Sequence, residues 1–325
     1  MKYIDRVYGN FEIKEFVILE LIHSSILQRL QEIDQAGYFE PHFSGTAHSR
    51  FEHSIGVYLL LKMYNTPIEE QIAGLIHDVS HSAFSHCIDY ALDAGSEKEH
   101  NHQDNVFDEF VRKSEIPEIL KKYNLDLEYI LDNKNFPLEE KDLPDLCADR
   151  IDYSLRTATV FGEIKNGKYF IDNLKVENEK WIFKNFESAE KYAELFLKLN
   201  TDYYAGLPSA VMFRTVGDYL RYALLKKYIS ETDLYTTDKI VLKKIEPHIK
   251  TDSKLSLLFD RMNNKIGFKN DPNDYSEKVF CKSRVVNPLC WHDGKIKRVS
   301  EVESSWNDIL KREFKPKEYF LKFDK

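Results

Sequence analysis

The segment TPIEEQIAGLIHDVSHSAFSH, Thr66 to His86, restricts the fold more than any other part of the chain. It opens on a helix-start signal, with Thr66 at the N-cap, Pro67 in the first turn and Glu69 three residues after the cap, as in a capping box. Ile68, Ile72, Leu75 and Ile76 then share one face at helical spacing. Such a stripe has to be buried against other elements, which calls for a helical body. The helix delivers His77-Asp78 at its far end, and SHSAFSH, unable to continue it smoothly, wraps the rim of whatever site they form. Three of the eleven histidines fall between Ala73 and His86. Clustered imidazoles point to a metal, to proton traffic or to an anionic ligand.

Other segments carry the same periodicity. Residues 13–34 read as one helix, AGYFEPHFSGTAHS as a loop, and RFEHSIGVYLLLKMY as a second helix. Further helices are expected at 103–113, 116–123 and 143–159. KYFIDNLKVENEKWIFK alternates like a hairpin turned near Glu177-Asn178, and KVFCKSRVVNPLCWHDGKIKRVS like another turned at Asp293-Gly294. FESAEKYAELFLKLNTDYY and AVMFRTVGDYLRYALLKKYI return to helix. The expected fold is mostly α, a helical bundle with small β-hairpin embellishments in the C-terminal half. Residues 1–160 form the core and 161–325 an extension packed on it, as one continuous unit.

With 325 residues, 42% hydrophobic and 31% charged, the composition is that of an ordinary soluble chain. A net charge of −8 argues against general attraction to polymeric nucleic acid or membrane, yet leaves room for a local basic pocket. Cys87, Cys147, Cys281 and Cys290 form no CxxC pair, which argues against a zinc ribbon or a disulfide framework. The start is charged from its second residue, unlike a signal peptide, and no apolar run approaches a membrane span. A cytoplasmic protein is expected.

His53, His77, Asp78 and Asp149 are the expected ligands of one divalent ion. Two imidazoles and two carboxylates suit Fe, Mn, Zn, Ni, Co or Mg, and mixed ligation leaves positions open for water and a substrate oxygen. Arg50, one helical turn before His53, is placed to grip phosphate.

In this order the blocks LQRLQEIDQAG, HSRFEHSIGV, AGLIHDVSHSAFSH and ADRIDYSLR resemble those of the HD-domain metal-dependent phosphohydrolases. The likeness is greatest to the deoxynucleoside triphosphate triphosphohydrolases, including the sterile-alpha-motif HD-domain enzymes, and covers about residues 1–160. The resemblance implies His86 and Asp89 as the catalytic histidine and its orienting carboxylate, and His102 as a further catalytic group. It implies Arg50, Gln35, His81, Arg150 and Tyr153 as substrate-binding residues, with Tyr153 under the sugar. The chain departs from the family at three of these places. Gln103 stands for a glutamate, Thr157 for an aspartate, and Ala36 for a leucine that packs where a 2′-hydroxyl would sit.

The function expected is hydrolysis of a (deoxy)nucleoside triphosphate to nucleoside and triphosphate. A monophosphate phosphatase or cyclic-nucleotide phosphodiesterase, a di-iron oxygenase and a nucleotide-binding regulatory or defence module are the alternatives. A nucleotide is the expected partner, with no nucleic acid polymer and no membrane. A homo-oligomer is compatible with the sequence.

Overall fold

A computed structural model describes residues 1–92 and 94–324. Strands β1 (Lys2–Asp5) and β2 (Gly9–Glu12) pair antiparallel at the start. Helices α1 (Phe16–His23) and α2 (Ser25–Arg29) follow, then a long loop, then α3 (Arg50–Met63) and α4 (Ile68–Ile76). The remaining first-half helices are α5 (His102–Arg112), α6 (Ile116–Lys122), α7 (Leu127–Leu131) and α8 (Ala148–Val160).

The helix expected over 13–34 is broken. Ser24 is extended, and its hydroxyl accepts from the Leu27 N–H, so it ends α1 and caps α2. The start of α4 also differs. Pro67 sits at the N-cap with no side-chain cap, and the Thr66 hydroxyl finds no partner. The carbonyl of Thr66 instead accepts from the Gln71 side chain at 2.7 Å.

The second half contributes α9 (Lys168–Asn173), β3 (Leu174–Glu177), β4 (Lys180–Phe183), α10 (Phe186–Leu199), α11 (Leu207–Leu225), α12 (Asp238–Ile249) and α13 (Ser253–Met262). It closes with β5 (Phe268–Asn270), β6 (Glu277–Cys281), β7 (Leu289–His292), β8 (Lys295–Arg298), α14 (Val299–Val302), α15 (Trp306–Glu313) and β9 (Lys317–Phe323). The fold is mostly helical with small sheets. One sheet has the order β3-β4-β7-β8 and another β5-β9-β6. The expected 278–300 hairpin is therefore shorter than read: β6 pairs with β9, and only β7 and β8 form the hairpin. Its turn lies at Asp293-Gly294, where both residues have positive φ, as a tight right-twisting hairpin requires.

In the middle of the molecule α3 packs against α4 and α8. Its Ile55, Val57, Leu59, Leu60 and Leu61 are fully buried among the apolar faces of its neighbours. One apolar cluster runs from Phe39 through Phe84 and Tyr90 to Met212, Tyr219 and Leu321, and another from Val57 and Ile151 to Trp181, Val285 and Trp306. Each joins residues on both sides of position 160. No described helix is long and apolar enough to cross a membrane.

Candidate metal centre

Three helices deliver the ligands. His53 sits on the second turn of α3, His77 at the C-cap of α4, and Asp149 in the first turn of α8. The Nε2 atoms of His53 and His77 lie 3.1 Å apart, and Asp149 Oδ1 is 2.9 Å from the first and 3.5 Å from the second. Asp78 stands at the edge of this three-residue group, with Oδ1 3.4 Å from His77 Nε2 and Oδ2, held by Arg50, 3.8 Å from His53 Nε2.

The other face of each imidazole is occupied. His53 Nδ1 meets Asp152 Oδ2 at 2.7 Å, and His77 Nδ1 meets the Gly74 carbonyl at 2.8 Å. Both Nδ1 atoms therefore carry the proton, and two Nε2 lone pairs and a carboxylate face one another. That is repulsive unless a cation lies between them. Two atoms each about 2.1 Å from an ion and at right angles about it would lie about 3.0 Å apart, so the donor set fits a divalent metal. A proton on Nε2 would relieve the same repulsion, and the carboxylates favour it. Burial opposes ionisation, yet Asp149 and Asp152 hold the His53 imidazole above its ordinary value, and Asp78 and Asp149 do the same for His77. His53 and His77 in turn hold Asp149 well below the carboxylate range against its burial.

Behind His53 runs a buried network that sequence reasoning missed. Arg156 donates Nε and Nη2 to the two oxygens of Asp152 at 2.9 and 2.8 Å, and Nη2 to Asp5 Oδ2 at 3.0 Å. Asp5 Oδ1 accepts from the N–H groups of Val7 and Tyr8, which ties the N-terminal hairpin to the centre. Gly56 makes room: a Cβ there would lie 2.0 Å from Arg156 Nη2 and 2.1 Å from Asp152 Oδ1. The signal was available in the i, i+4 spacing of Asp152 and Arg156.

The centre opens on a cavity of about 580 Å³ lined by Arg50, His77, Asp78, His81, His86, Asp149, Arg150 and Tyr153, among others. A smaller annex of about 80 Å³ adjoins it, walled by Ala36, Phe39, Tyr203, Tyr204 and Phe213. Gln35, His86, His100, Tyr153 and Arg284 line both. Arg50 donates Nη1 to Asp78 Oδ2 at 2.6 Å and Nε to the Ser85 hydroxyl at 2.7 Å, leaving its buried Nη2 without a partner. Gln35 Oε1 is likewise buried and unpartnered. Burial and the Arg50 charge pull His81 down to about 4, while its Nε2 lies 3.3 Å from Asp78 Oδ1.

Other expected residues stand differently. His86 lines the cavity, but its Nδ1 is 3.8 Å from Asp89 Oδ2, too far for a hydrogen bond. Asp89 Oδ1 accepts instead from the N–H groups of Ser96 and His102, and so fixes the following turn. The His102 ring points away from the cavity to the Tyr235 hydroxyl, 3.0 Å off. His100 takes the place expected for it, stacked on His86 with ring centroids 5.2 Å apart. His100 has a φ of 50°, in the left-handed region, and lines the cavity where His102 does not. Arg150 braces the preceding loop, donating Nη1 to the carbonyls of Lys141 and Asp145 at 3.0 and 2.6 Å. Tyr153 packs edge-on to Tyr204, 5.6 Å between centroids. Lys282 and Arg284 also reach the cavity, from a segment that had been read only as part of a hairpin.

Residues 50–157, which include His53, His77, Asp78 and Asp149, match the HD domain family. An uncharacterized Bacillus subtilis protein, YdhJ, is 36% identical over 91% of this chain and 90% of its own length. The metal-dependent phosphohydrolase cns2 of Cordyceps militaris is 36% identical over 49% of this chain and 46% of its own. The chain belongs to the HD-domain proteins. The fold of this HD-domain protein is shared by a solved phosphohydrolase from Bacteroides thetaiotaomicron, with a TM-score of 0.76 at 18% identity and full coverage of both chains. The mouse deoxynucleoside triphosphate triphosphohydrolase SAMHD1 is 33% identical over 37% of this chain, a stretch spanning 21% of SAMHD1.

Proposed function

We propose that this HD-domain protein hydrolyses nucleoside or deoxynucleoside triphosphates, releasing nucleoside and triphosphate. The observation that carries this reading is the two-part cavity. A chamber with cationic side chains and a metal centre opens into an aromatic annex, which matches a ligand with an anionic end and a sugar–base end. The partial likeness to a named triphosphohydrolase supports it.

His53, His77, Asp78 and Asp149 would hold the ion. Bound there, a divalent ion supplies Lewis-acid activation of a phosphate oxygen and of water. Arg50, already oriented by Asp78 and Ser85, presents Nη2 to phosphate charge. Tyr153 and Gln35 stand at the junction, where the sugar lies. His86 is the proton donor to the leaving oxygen. Desolvation and the Arg50 charge hold its imidazole well below its ordinary value, and an anion in the chamber would act the other way. Positioning and charge neutralisation carry most of such catalysis.

A monophosphatase has one observation in its favour. Asp104, Asp108, Glu140 and Asp142 also line the chamber and oppose a long anionic chain. One assay separates the two. Protein loaded in turn with Mn²⁺, Fe²⁺ or Mg²⁺ is given ribo- and deoxynucleoside mono- and triphosphates, and products are weighed by mass spectrometry. Inorganic triphosphate with free nucleoside is the expected result. Orthophosphate released from monophosphates alone makes it a monophosphatase, and binding without turnover makes it a nucleotide-binding module.

A further inference from the structure

Residues 281–285 continue from strand β6 in a run whose burial alternates. Cys281, Ser283 and Val285 turn inward and are buried, whereas Lys282 and Arg284 face the cavity. The inner row is anchored. Cys281 pairs with Lys317 across β6 and β9, and the Ser283 hydroxyl donates to Glu313 Oε2 at 3.1 Å and accepts from Asn200 Nδ2 at 3.0 Å. The Arg284 N–H donates to Asn200 Oδ1 at 2.8 Å. Backbone anchoring of this kind fixes where the outer row can reach.

The two outer charges are uncommitted. Among the described residues neither side chain forms an ion pair, and their one hydrogen bond is a long contact of 3.5 Å from Arg284 Nη1 to the Lys282 carbonyl. The buried cations of the chamber are engaged, Arg50 by Asp78 and Arg150 by loop carbonyls. Glu99 and Asp104 act on Lys282 only through space. Burial and the adjacent Arg284 charge pull Lys282 down to about 8, a penalty that a bound anion would remove. The two side chains are also staggered: Arg284 lines both chamber and annex, Lys282 the chamber alone.

We propose that Lys282 and Arg284 form a stepped phosphate subsite, in which Arg284 holds the phosphate next to the sugar and Lys282 the next phosphate outward, so that Lys282 selects for chain length. This rests on the reading of the cavity as a nucleotide phosphohydrolase site. Two cations held side by side without partners are suited to successive phosphates of a polyphosphate.

The test compares wild type, Lys282→Ala, Arg284→Ala and the charge-preserving Lys282→Arg on nucleoside mono-, di- and triphosphates. Calorimetric binding of inorganic tripolyphosphate and orthophosphate accompanies it. Lys282→Ala is expected to lower kcat/KM for di- and triphosphates by roughly ten- to a hundredfold, the worth of a charged hydrogen bond, and to change monophosphates less than about threefold. Arg284→Ala lowers all three, and Lys282→Arg restores the di- and triphosphate rates. Tripolyphosphate loses its binding advantage over orthophosphate in Lys282→Ala. Neither side chain holds up the fold, so unchanged melting is expected for each variant. A uniform loss, no loss, or a wild type that prefers monophosphates overturns the proposal. Should wild type turn over no nucleotide while Lys282→Ala still weakens tripolyphosphate binding, the enzyme reading fails and the subsite stands. Should triphosphates be hydrolysed with length preference intact in Lys282→Ala, the subsite fails alone.

Discussion

On the ligand wall of the cavity, the His53 Nδ1–H donates to Asp152 at 2.7 Å, Asp152 is gripped by Arg156 at 2.9 Å, and Arg156 reaches Asp5 at 3.0 Å, every link buried. Elsewhere on the lining, Lys282 and Arg284 stand on an anchored backbone with nearly all their hydrogen-bonding capacity unused. Both walls hold charge, buried in one and half-buried in the other, but one closes its bonds internally and the other leaves them open. A metal centre needs its donors oriented before the ion arrives, and the closed network does that. A site for an anion that comes and goes needs donors that nothing else satisfies. The contrast separates groups that build the site from groups that read the substrate, and it can be broken by substitution on either side.

The harshest break is at the ion itself. Asp149→Ala removes the oxygen that touches both imidazoles. Losing the metal forfeits several kcal/mol of transition-state stabilisation, so hydrolysis is expected to fall about a thousandfold or more. Elemental analysis should find less than one equivalent of metal. Full activity with the metal still bound would show that the centre lies elsewhere.

A milder break leaves every ligand in place. Asp152→Asn removes the charge behind His53 and keeps a side chain of the same shape. Changes of this kind lower metal affinity about ten- to a hundredfold, which a competitive chelator titration would read. Asp152→Ala goes further, because it strips one partner from the fully buried Arg156 and is expected to cost roughly 3–5 kcal/mol in urea unfolding. Wild-type metal affinity in Asp152→Asn would mean that packing alone orients His53.

The two walls were also unequally legible from sequence. The ligands stood out because each is placed by a helix, and helical spacing says which face a side chain shares. Asp152 lay in the same quoted block as Asp149, yet its partners Arg156 and Asp5 meet only when the N-terminal hairpin docks. Lys282 and Arg284 carry no local signal. Their role depends on a strand edge pairing with β9 and on Asn200 and Glu313, which are distant in the chain. That His100 rather than His102 lines the cavity was not legible either, because the backbone at His100 is left-handed, which periodicity does not report. The break at Ser24 was missed because apolar spacing carried through it, while its hydroxyl favoured a new cap.

The finest test of the reading wall concerns Ala36, where the resembling enzymes carry a leucine. The backbone here is pinned: the N–H groups of Ala36 and Gly37 both donate to Asp34 Oδ1, at 3.0 and 3.1 Å. A larger side chain at 36 therefore cannot swing away and must take space in an annex of only about 80 Å³, beside Gln35 and Tyr153. If the sugar lies at this junction, Ala36→Leu crowds a 2′-hydroxyl more than a hydrogen. The ratio of ribonucleotide to deoxyribonucleotide kcat/KM should then drop about tenfold, within the range that one or two methylenes can discriminate. Parallel assays on matched triphosphates measure it. Equal losses for both sugars would place the sugar outside the annex, and would leave the aromatic wall to the base or to packing alone.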